Sequence, residues 1–443
     1  MATPSTAPHP PLSREAQARR DLGHTHVSPG VARVLVTVFL ATLLVMGLVE
    51  VARVVWTREP GVWLHLARIP ATAATEGRTS QGGAWTRVVA ANRATLSSLD
   101  AFESGLEQES VVGRALRPPS QLLLSGWLGA GNERVYVGRE GWLFYRPDVE
   151  YATGRPFLDE DQQARRVAAA AEWESRPAVD PVAAMAQLKL DLDRRGITLL
   201  VVPTPVKPTI HPAELAAAYE GFDAPVQNPS FTALVAALGR EGILVYDPAP
   251  RLVQRRAGGE PQYLQTDTHW RPAALQYVAT EVAGFLAARA GITRGSHRYT
   301  QSVAHVRQAG DTAQMLDLPP SQQTFPPEAV EVTSVSEADG TPWRPTRGAE
   351  VLLLGDSFSN IYALESMGWG SGAGFAEHLS VALGRPVDRL VQNDQGAWAT
   401  RAMLQQVSHA DPERLANTRL VVYQFAAREL AQGDWRLLPL APP

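Results

Sequence analysis

The segment LLLGDSFSN, from Leu352 to Asn360, places a serine directly after a run of branched aliphatic residues. A buried strand that ends in a sharp turn can hold a serine hydroxyl forward as a nucleophile. Backbone N–H groups at such a turn can stabilise an oxyanion, and Gly355 and Ser357 are the candidates for these donors. The alternative is that Asp356 or Ser357 only caps a helix. The segment alone favours neither interpretation.

A serine nucleophile needs a base, and the base needs an acid that orients it. Among the ten histidines, His269 is the best candidate, because it lies two residues after Asp267 in LQTDTHWRP. In an extended segment both side chains point to the same side, so Asp267 could orient the imidazole toward Ser357. His211 is a weaker candidate. An Asp-x-His pair also occurs in turns and metal sites, but no third ligand has suitable spacing, and we predict no metal or other cofactor.

Segments with strand-like and helix-like patterns alternate after Glu133. This alternation is typical of an α/β fold with a mostly parallel sheet covered on both faces. Ligands bind such sheets beyond the carboxyl ends of the strands, and Ser357 would lie there if a helix follows Asn360. The strand-like segments are Gly196–Pro205, Ile243–Pro250, Glu350–Asp356 and the start of Arg419–Leu430, and the helical ones are Phe231–Gly242 and Arg271–Gly291.

An apolar segment near the N-terminus, residues 31–56, predicts a single transmembrane helix. Its uncharged stretch is short for a span of roughly 20 residues, but Arg33 and Arg53 can extend toward the two interfaces. Basic residues before the span predict a cytoplasmic N-terminus, with residues 1–30 as a disordered tail. The alternatives are a cleaved signal peptide, which lacks a nearby cleavage site, and a buried core helix, which Glu50 would favour.

Three further regions follow the predicted anchor. Residues 57–130 predict a juxtamembrane connector with an amphipathic helix around Trp85–Leu106. The main domain is expected to span residues 131–436, and residues 292–348, rich in Pro, Gly, Thr and Gln, predict an irregular excursion over the sheet. Cysteine is absent, which excludes disulfides and thiolate metal sites. The net charge of −4 gives no reason to expect nucleic acid as a partner.

Five segments, in order, resemble the alginate O-acetyltransferase family of the AlgJ and AlgX type, which has an SGNH-hydrolase-like domain. Two of them are the segments that contain His269 and Ser357. The other three are VYVGREGWLFYR (Val135–Arg146), VVPTPVKPTIHPAEL (Val201–Leu215) and VVYQFAAREL (Val421–Leu430). The resemblance implies a three-layer α/β sandwich and a catalytic triad of Ser357, His269 and Asp267. In ordinary GDSL esterases the Asp and His lie near the C-terminus instead, so their order here separates the two groups.

The resemblance also implies residues that contact the substrate. Arg428 would bind an anionic or polyhydroxyl substrate, and its alternative is a structural salt bridge. Lys207 is a weaker candidate, for which a surface position at a strand end is the alternative. Asn393 and Gly396, in the polar loop VQNDQGAW, are candidates for substrate binding or for the oxyanion site. Asp356 is expected to be a turn residue. The aromatic residues expected to pack in the core are Trp142, Phe144 and Trp270.

The implied function is that of a membrane-anchored O-acetyltransferase that modifies an exopolysaccharide outside the inner membrane through an acetyl-Ser357 intermediate. A protein of the membrane-bound O-acyltransferase type would supply the acetyl group. Two alternatives remain: a carbohydrate acetylesterase that uses the same residues, and a non-catalytic polysaccharide-binding scaffold. AlgX-type proteins carry a carbohydrate-binding module after the catalytic domain. This chain has no such segment after Leu430, so it resembles the AlgJ type more closely.

Overall fold

The computed structural model describes residues 28–57, 63–109, 111–170 and 175–442, which belong to two compact units, Met1–Ala115 and Leu116–Pro443. Most of the predicted cytoplasmic tail, up to residue 27, lies outside the described residues. The second unit begins earlier than the predicted boundary at residue 131. Within this unit, Gln121 and Ser125 donate hydrogen bonds to the main-chain oxygens of Gly131 and Ala130.

The described part of the first unit is helical. Its long helices are α1 (Pro29–Thr57), α2 (Trp63–Thr79) and α3 (Ala84–Glu109). Among the described residues, α1 is the one helix long and apolar enough to cross a membrane, and its large apolar side chains are exposed. This helix is compatible with the predicted single-pass anchor. Helices α2 and α3 pack against each other at a close approach of Gly77 to Ala91, and α3 contains the predicted amphipathic helix.

The second unit is built on a parallel sheet. Its described strands are β1 (Val135–Val137), β2 (Leu143–Tyr145), β3 (Thr198–Thr204), β4 (Leu244–Val245), β5 (Tyr299–Gln308), β6 (Glu328–Glu337), β7 (Val351–Gly355), β8 (Val387–Val391) and β9 (Leu420–Ala426). Five of them form the central sheet in the order β4-β3-β9-β7-β8, and every pair is parallel. Strands β7 and β9 are buried along their whole length, which explains their continuous apolar runs. The predicted parallel sheet is therefore confirmed.

Helices cover both faces of this sheet. The remaining helices are α4 (Val111–Trp127), α5 (Arg146–Thr153), α6 (Glu160–Ala168), α7 (Pro181–Asp193), α8 (Lys207–Ile210), α9 (Pro212–Leu215), α10 (Phe231–Arg240), α11 (Ala249–Ala257), α12 (Pro272–Arg289), α13 (Asp311–Met315), α14 (Ser357–Asn360), α15 (Phe375–Leu383), α16 (Gly396–Ala410) and α17 (Glu429–Gln432). Leu353 packs in one core with α11, α12 and α15, whereas its neighbours Leu352 and Leu354 pack in a second core with α7, α10 and α16. Alternate strand residues thus build the two cores of a three-layer sandwich.

Residues 292–348 are not irregular as predicted, because they contain β5 and β6. These two strands pair antiparallel from Tyr299–Glu337 to Gln308–Glu328 and form a two-stranded ribbon outside the main sheet. Strand β6 buries three valines in the core that contains α12, whereas β5 is mostly exposed. Because the ribbon has so few buried positions, its sequence lacks the apolar run that marks a core strand.

Candidate active site

The turn after β7 holds Ser357 at the carboxyl end of the sheet. Helix α14 starts at Ser357 itself and is one turn long, so the expected helix after Asn360 is replaced by an earlier and shorter one. Asp356 caps this helix, because its Oδ1 accepts the N–H of Phe358 at 2.9 Å. Its Oδ2 accepts the N–H of Ala426 at the end of β9 at 2.6 Å. The cap and the forward position of Ser357 are therefore compatible, and Asp356 is the turn residue that was predicted.

Ser357, His269 and Asp267 form a continuous hydrogen-bonded line. His269 Nε2 lies 2.9 Å from Ser357 Oγ, and His269 Nδ1 lies 2.7 Å from Asp267 Oδ1. The backbone N–H of His269 also donates to Asp267 Oδ1, at 3.0 Å. The histidine and the aspartate are buried, whereas Ser357 is half-buried. The structure thus brings together the three residues for which the family resemblance implies a triad.

Trp270 connects the turn of residues 266–269, called the histidine turn, to the turn of residues 356–358, called the nucleophile turn after its candidate nucleophile. Its indole N–H donates to the main-chain oxygen of Phe358 at 3.0 Å, and its own main-chain oxygen accepts the hydroxyl of Tyr362 at 2.7 Å. A bridge to Tyr263 closes the other side of the histidine turn. Trp270 is fully buried, so it packs in the core as predicted. Phe144 is likewise buried, and Trp142 is half-buried against the core.

The second oxygen of Asp267 has two donors that the sequence did not reveal. Asp267 Oδ2 accepts the indole N–H of Trp369 at 3.0 Å and the backbone N–H of Asp311 at 3.0 Å. Burial would raise the pKa of Asp267, but its hydrogen bond to His269 and the attraction between them outweigh burial and lower that pKa. The same pairing raises the pKa of His269, although burial alone would lower it. The pairing therefore favours the ionised form of Asp267 and makes the imidazole of His269 a stronger base.

Asp311 is a third carboxylate beside this pair, at the start of α13. Its Oδ1 accepts the backbone N–H of Thr268 at 2.7 Å and the Thr268 hydroxyl at 3.0 Å, and its Oδ2 lies 3.8 Å from His269 Nδ1. Burial and the charge of Asp267 raise its pKa. One donor atom from each of Asp267, His269 and Asp311 lies within 4.8 Å of the others, so the fold brings a third carboxylate to the pair that sequence spacing did not reveal. His269 Nδ1 and both Asp267 oxygens already share hydrogen bonds within and around this group.

Arg428 lies beside the nucleophile turn, just after β9. Its Nη1 donates to Asp148 Oδ1 at 3.0 Å, and its guanidinium carbon lies 5.8 Å from the centre of the Phe358 ring. Asp148 is fully buried, and burial raises its pKa even though Arg428 acts in the opposite direction. The side chain of Arg428 is 15% exposed, so it forms the salt bridge and still reaches the surface.

Lys207 is fully buried, so both the predicted substrate contact and the surface alternative are wrong. Its Nζ donates to the main-chain oxygens of Leu143 at 2.6 Å and Gln265 at 3.3 Å. Burial lowers the pKa of Lys207 to about 8. The lysine therefore ties the β1–β2 hairpin to the segment that leads into the histidine turn. A lysine after a strand carries no local signal of such burial, because the two oxygens come from distant segments.

Four predicted residues remain: Asn393, Gly355, Gly396 and His211. Asn393 Oδ1 accepts the side-chain N–H of Asn360 at 2.8 Å, and Gly355 is the last residue of β7. Gly396 has a φ of +63°, and a Cβ there would lie 2.1 Å from Glu429 Oε2, which explains the glycine. His211 accepts the N–H of Gln262 at 3.1 Å and lies against the Trp142 ring, so its nitrogen serves a structural contact.

Comparison with known proteins identifies one family. The family model described as "SGNH hydrolase-like domain, acetyltransferase AlgX" matches residues 135–427. The probable alginate O-acetylase AlgJ of Pseudomonas fluorescens is 25% identical over 308 residues, which cover 68% of this chain and 69% of the relative. The corresponding protein of Azotobacter vinelandii is 24% identical over 310 residues, which cover 68% and 71% of the two chains.

A solved structure shows the same fold. The O-acetyltransferase domain of Pseudomonas putida AlgJ matches with a TM-score of 0.50 and 19% identity, over 68% of this chain and 93% of that domain. Together with the family match, which covers more than half of the chain, this similarity settles the relationship that the five sequence segments predicted. The chain belongs to the SGNH-hydrolase-like acetyltransferase family of AlgX and AlgJ.

Proposed function

We propose that the chain transfers acetyl groups to hydroxyls of an exopolysaccharide through a Ser357–His269–Asp267 triad. The observation that carries this proposal is the hydrogen-bonded line from Asp267 Oδ1 to Ser357 Oγ inside a domain of this family. The names of the relatives support an acetyl transfer to alginate by those proteins. Alginate or a similar polysaccharide is accordingly the proposed substrate of this chain.

In the first step, Ser357 Oγ attacks the carbonyl carbon of an acetyl ester while His269 Nε2 takes the hydroxyl proton. The bond from the acetyl carbon to the donor breaks, and His269 returns the proton to the departing oxygen. Asp267 keeps the proton of the imidazole on Nδ1 and stabilises the imidazolium that forms. The backbone N–H of Ser357, at the first position of α14, is a proposed oxyanion donor because such N–H groups have no acceptor within the helix. The backbone N–H of Gly355 is the second proposed oxyanion donor.

In the second step, a sugar hydroxyl attacks acetyl-Ser357. His269 Nε2 takes its proton, the ester to Ser357 breaks, and the proton returns to Ser357 Oγ. Arg428 is the proposed contact for an anionic or polyhydroxyl chain, since its guanidinium reaches the surface beside Phe358. Asn393 and Gly396 are proposed to border the same site. Water in place of the sugar would give the esterase outcome with the same residues.

Helix α1 is proposed to anchor the chain in the inner membrane as a single-pass helix. Basic residues before it favour a cytoplasmic N-terminus, so the catalytic domain would lie in the periplasm. A periplasmic enzyme has no access to cytoplasmic acetyl donors. A protein of the membrane-bound O-acyltransferase type is therefore the proposed partner that brings acetyl groups across the membrane.

The test uses the full chain in detergent with 4-nitrophenyl acetate, alone and with oligosaccharides of alginate or cellulose. The wild type should form acetyl-Ser357 and acetylated sugar, and Ser357→Ala should abolish both. Ser366→Ala is the matched control. It changes an exposed serine in the 3-10 turn Glu365–Met367 and should keep the activity. Release of acetate that no sugar diverts would support the esterase. Sugar binding without acetyl-Ser357 would support the scaffold and overturn the proposal.

A further inference from the structure

The loop between the two ribbon strands docks on the histidine turn. Gly310 approaches this turn so closely that a Cβ on it would lie 2.0 Å from the main-chain oxygen of Thr266. The backbone N–H of Ala313 donates to the same oxygen at 3.2 Å. Only glycine fits such an approach, so the loop and the turn form one packed unit. Asp311 lies in the middle of this contact.

Asp311 both donates a hydrogen bond to the histidine turn and accepts hydrogen bonds from it. Its backbone N–H donates to Asp267 Oδ2 at 3.0 Å, while its carboxylate accepts the backbone N–H and the hydroxyl of Thr268. These contacts fix the two residues that precede His269. The remaining carboxylate oxygen lies 3.8 Å from His269 Nδ1, which places a second carboxylate beside the imidazole. A surface loop or a helix cap would not need these contacts between Asp311 and the histidine turn.

We propose that Asp311 is a positioning residue of the acetyl transfer, which holds the Asp267–Thr268–His269 turn and adds its negative charge to that of Asp267 at the imidazole. This inference rests on the proposed role of His269 as the general base. Asp311 itself does not touch the reacting atoms. It acts through the orientation of the turn and through the charge that the imidazole experiences.

The charge part of this inference has a defined sign. The charged groups that act on His269 include the carboxylates of Asp267, Asp311 and Asp148, which favour the imidazolium, and the guanidinium of Arg428, which disfavours it. Asp148 lies further out, bonded to the guanidinium. A base must be unprotonated to accept a proton, so activity falls below the pKa of His269. Asp311, whose own pKa is raised to about 6 by burial and the charge of Asp267, raises the pKa of His269 when it is ionised, so Asp311→Asn should move the acid limb of the pH profile to lower pH.

Asp311→Asn separates charge from hydrogen bonding, since an amide oxygen still accepts from Thr268. The experiment measures kcat/KM of the full chain for 4-nitrophenyl acetate between pH 5 and pH 9, together with the melting temperature. For Asp311→Asn we expect the acid limb to move down by about half to one pH unit, with a plateau within about threefold of the wild type. For Asp311→Ala, which also frees the turn, the plateau should fall by roughly tenfold.

Two controls separate the possible failures. Asp223→Asn removes a highly exposed carboxylate and should leave the profile unchanged, because solvent and salt screen surface charges. If Ser357→Ala keeps the activity, the proposed function fails whatever Asp311 does. If Ser357→Ala is inactive but Asp311→Asn leaves the acid limb in place, the inference about Asp311 is overturned while the proposed function stands. A loss of activity that only follows the melting temperature would overturn it too.

Discussion

Ser357 and His269 lie on two turns that the fold holds in different ways. The nucleophile turn is held from the central sheet, because Asp356 accepts hydrogen bonds from Gln424 and Ala426 of β9. The histidine turn is held from outside the sheet. Its partners are Asp311 and Glu328, at the two ends of the loop between β5 and β6, together with Trp369 from the segment between β7 and β8.

This difference separates two tasks of the proposed mechanism. The sheet fixes where the nucleophile stands, and the ribbon with its neighbours fixes how the base is oriented and charged. Substitutions that weaken the first set of contacts should cost folding stability as well as activity. Those that weaken the second set should change the rate and its pH dependence at a smaller cost in stability.

The largest effect on the histidine side is expected for Asp267→Asn. The amide leaves the fold in place but no longer stabilises the imidazolium, so kcat should fall by about 10³ to 10⁴. The loss should be visible as slower acetylation of Ser357 by 4-nitrophenyl acetate, followed by mass spectrometry. Comparable acetylation by the variant and the wild type would show that Asp267 does not orient the base.

Asp356→Ala tests the sheet side of the comparison. The change removes a helix cap and leaves the N–H of Ala426 without an acceptor, so the free energy of unfolding should fall by about 2–4 kcal/mol. The activity should fall by roughly tenfold, since the position of Ser357 loosens. Urea unfolding and kcat measured on one sample decide the point. An inactive variant of unchanged stability would remove the distinction between the two turns.

Trp369→Phe weakens the histidine turn by one hydrogen bond. Asp267 Oδ2 loses its indole donor, so kcat should fall by about three- to tenfold and the free energy of unfolding by about 1–2 kcal/mol. The matched control is Trp343→Phe, which loses an indole hydrogen bond to Ser380 in the same core. The control should lose similar stability and keep its kcat. An equal fall of kcat in both variants would contradict a specific role of Trp369.

The smallest effect on the rate is expected for Lys207→Met. The pKa of Lys207 is lowered to about 8 in the fold, whereas an unfolded lysine titrates near 10.4. The unfolded chain therefore binds more protons between these values, and wild-type stability gains on the order of 2 kcal/mol from this residue as the pH rises from 7 to 10. The variant should lack this gain, with kcat at pH 7 changed by less than about threefold. If the stabilities of the wild type and the variant changed in parallel with pH, the lowered pKa of the buried Lys207 would be refuted.

The sheet and the pairing of Asp267 with His269 could be predicted because their signals are local. The aliphatic runs of β3, β7 and β9 follow from burial on both faces, and Asp267 and His269 lie two residues apart. The partners of the histidine turn could not be predicted, because Asp311 and Trp369 are 44 and 102 residues away from Asp267. Their neighbourhoods resemble ordinary loops. Only the pairing of β5 with β6 brings that loop to the site, and neither strand has an apolar run.

The ribbon also sets how long the site survives under stress. A two-stranded sheet is only marginally stable by itself, and β5 is mostly exposed, so the attachment of the ribbon depends on three valines of β6 and on the loop residues Ala313, Leu316 and Phe325, which pack with Val135 and Leu143. Such elements open locally at a lower free energy than the whole domain needs to unfold. When the ribbon opens, the histidine turn loses Asp311 and Glu328 while the sheet remains folded. Mild heat or denaturant should therefore abolish the proposed acetyl-transfer activity well before it unfolds the domain.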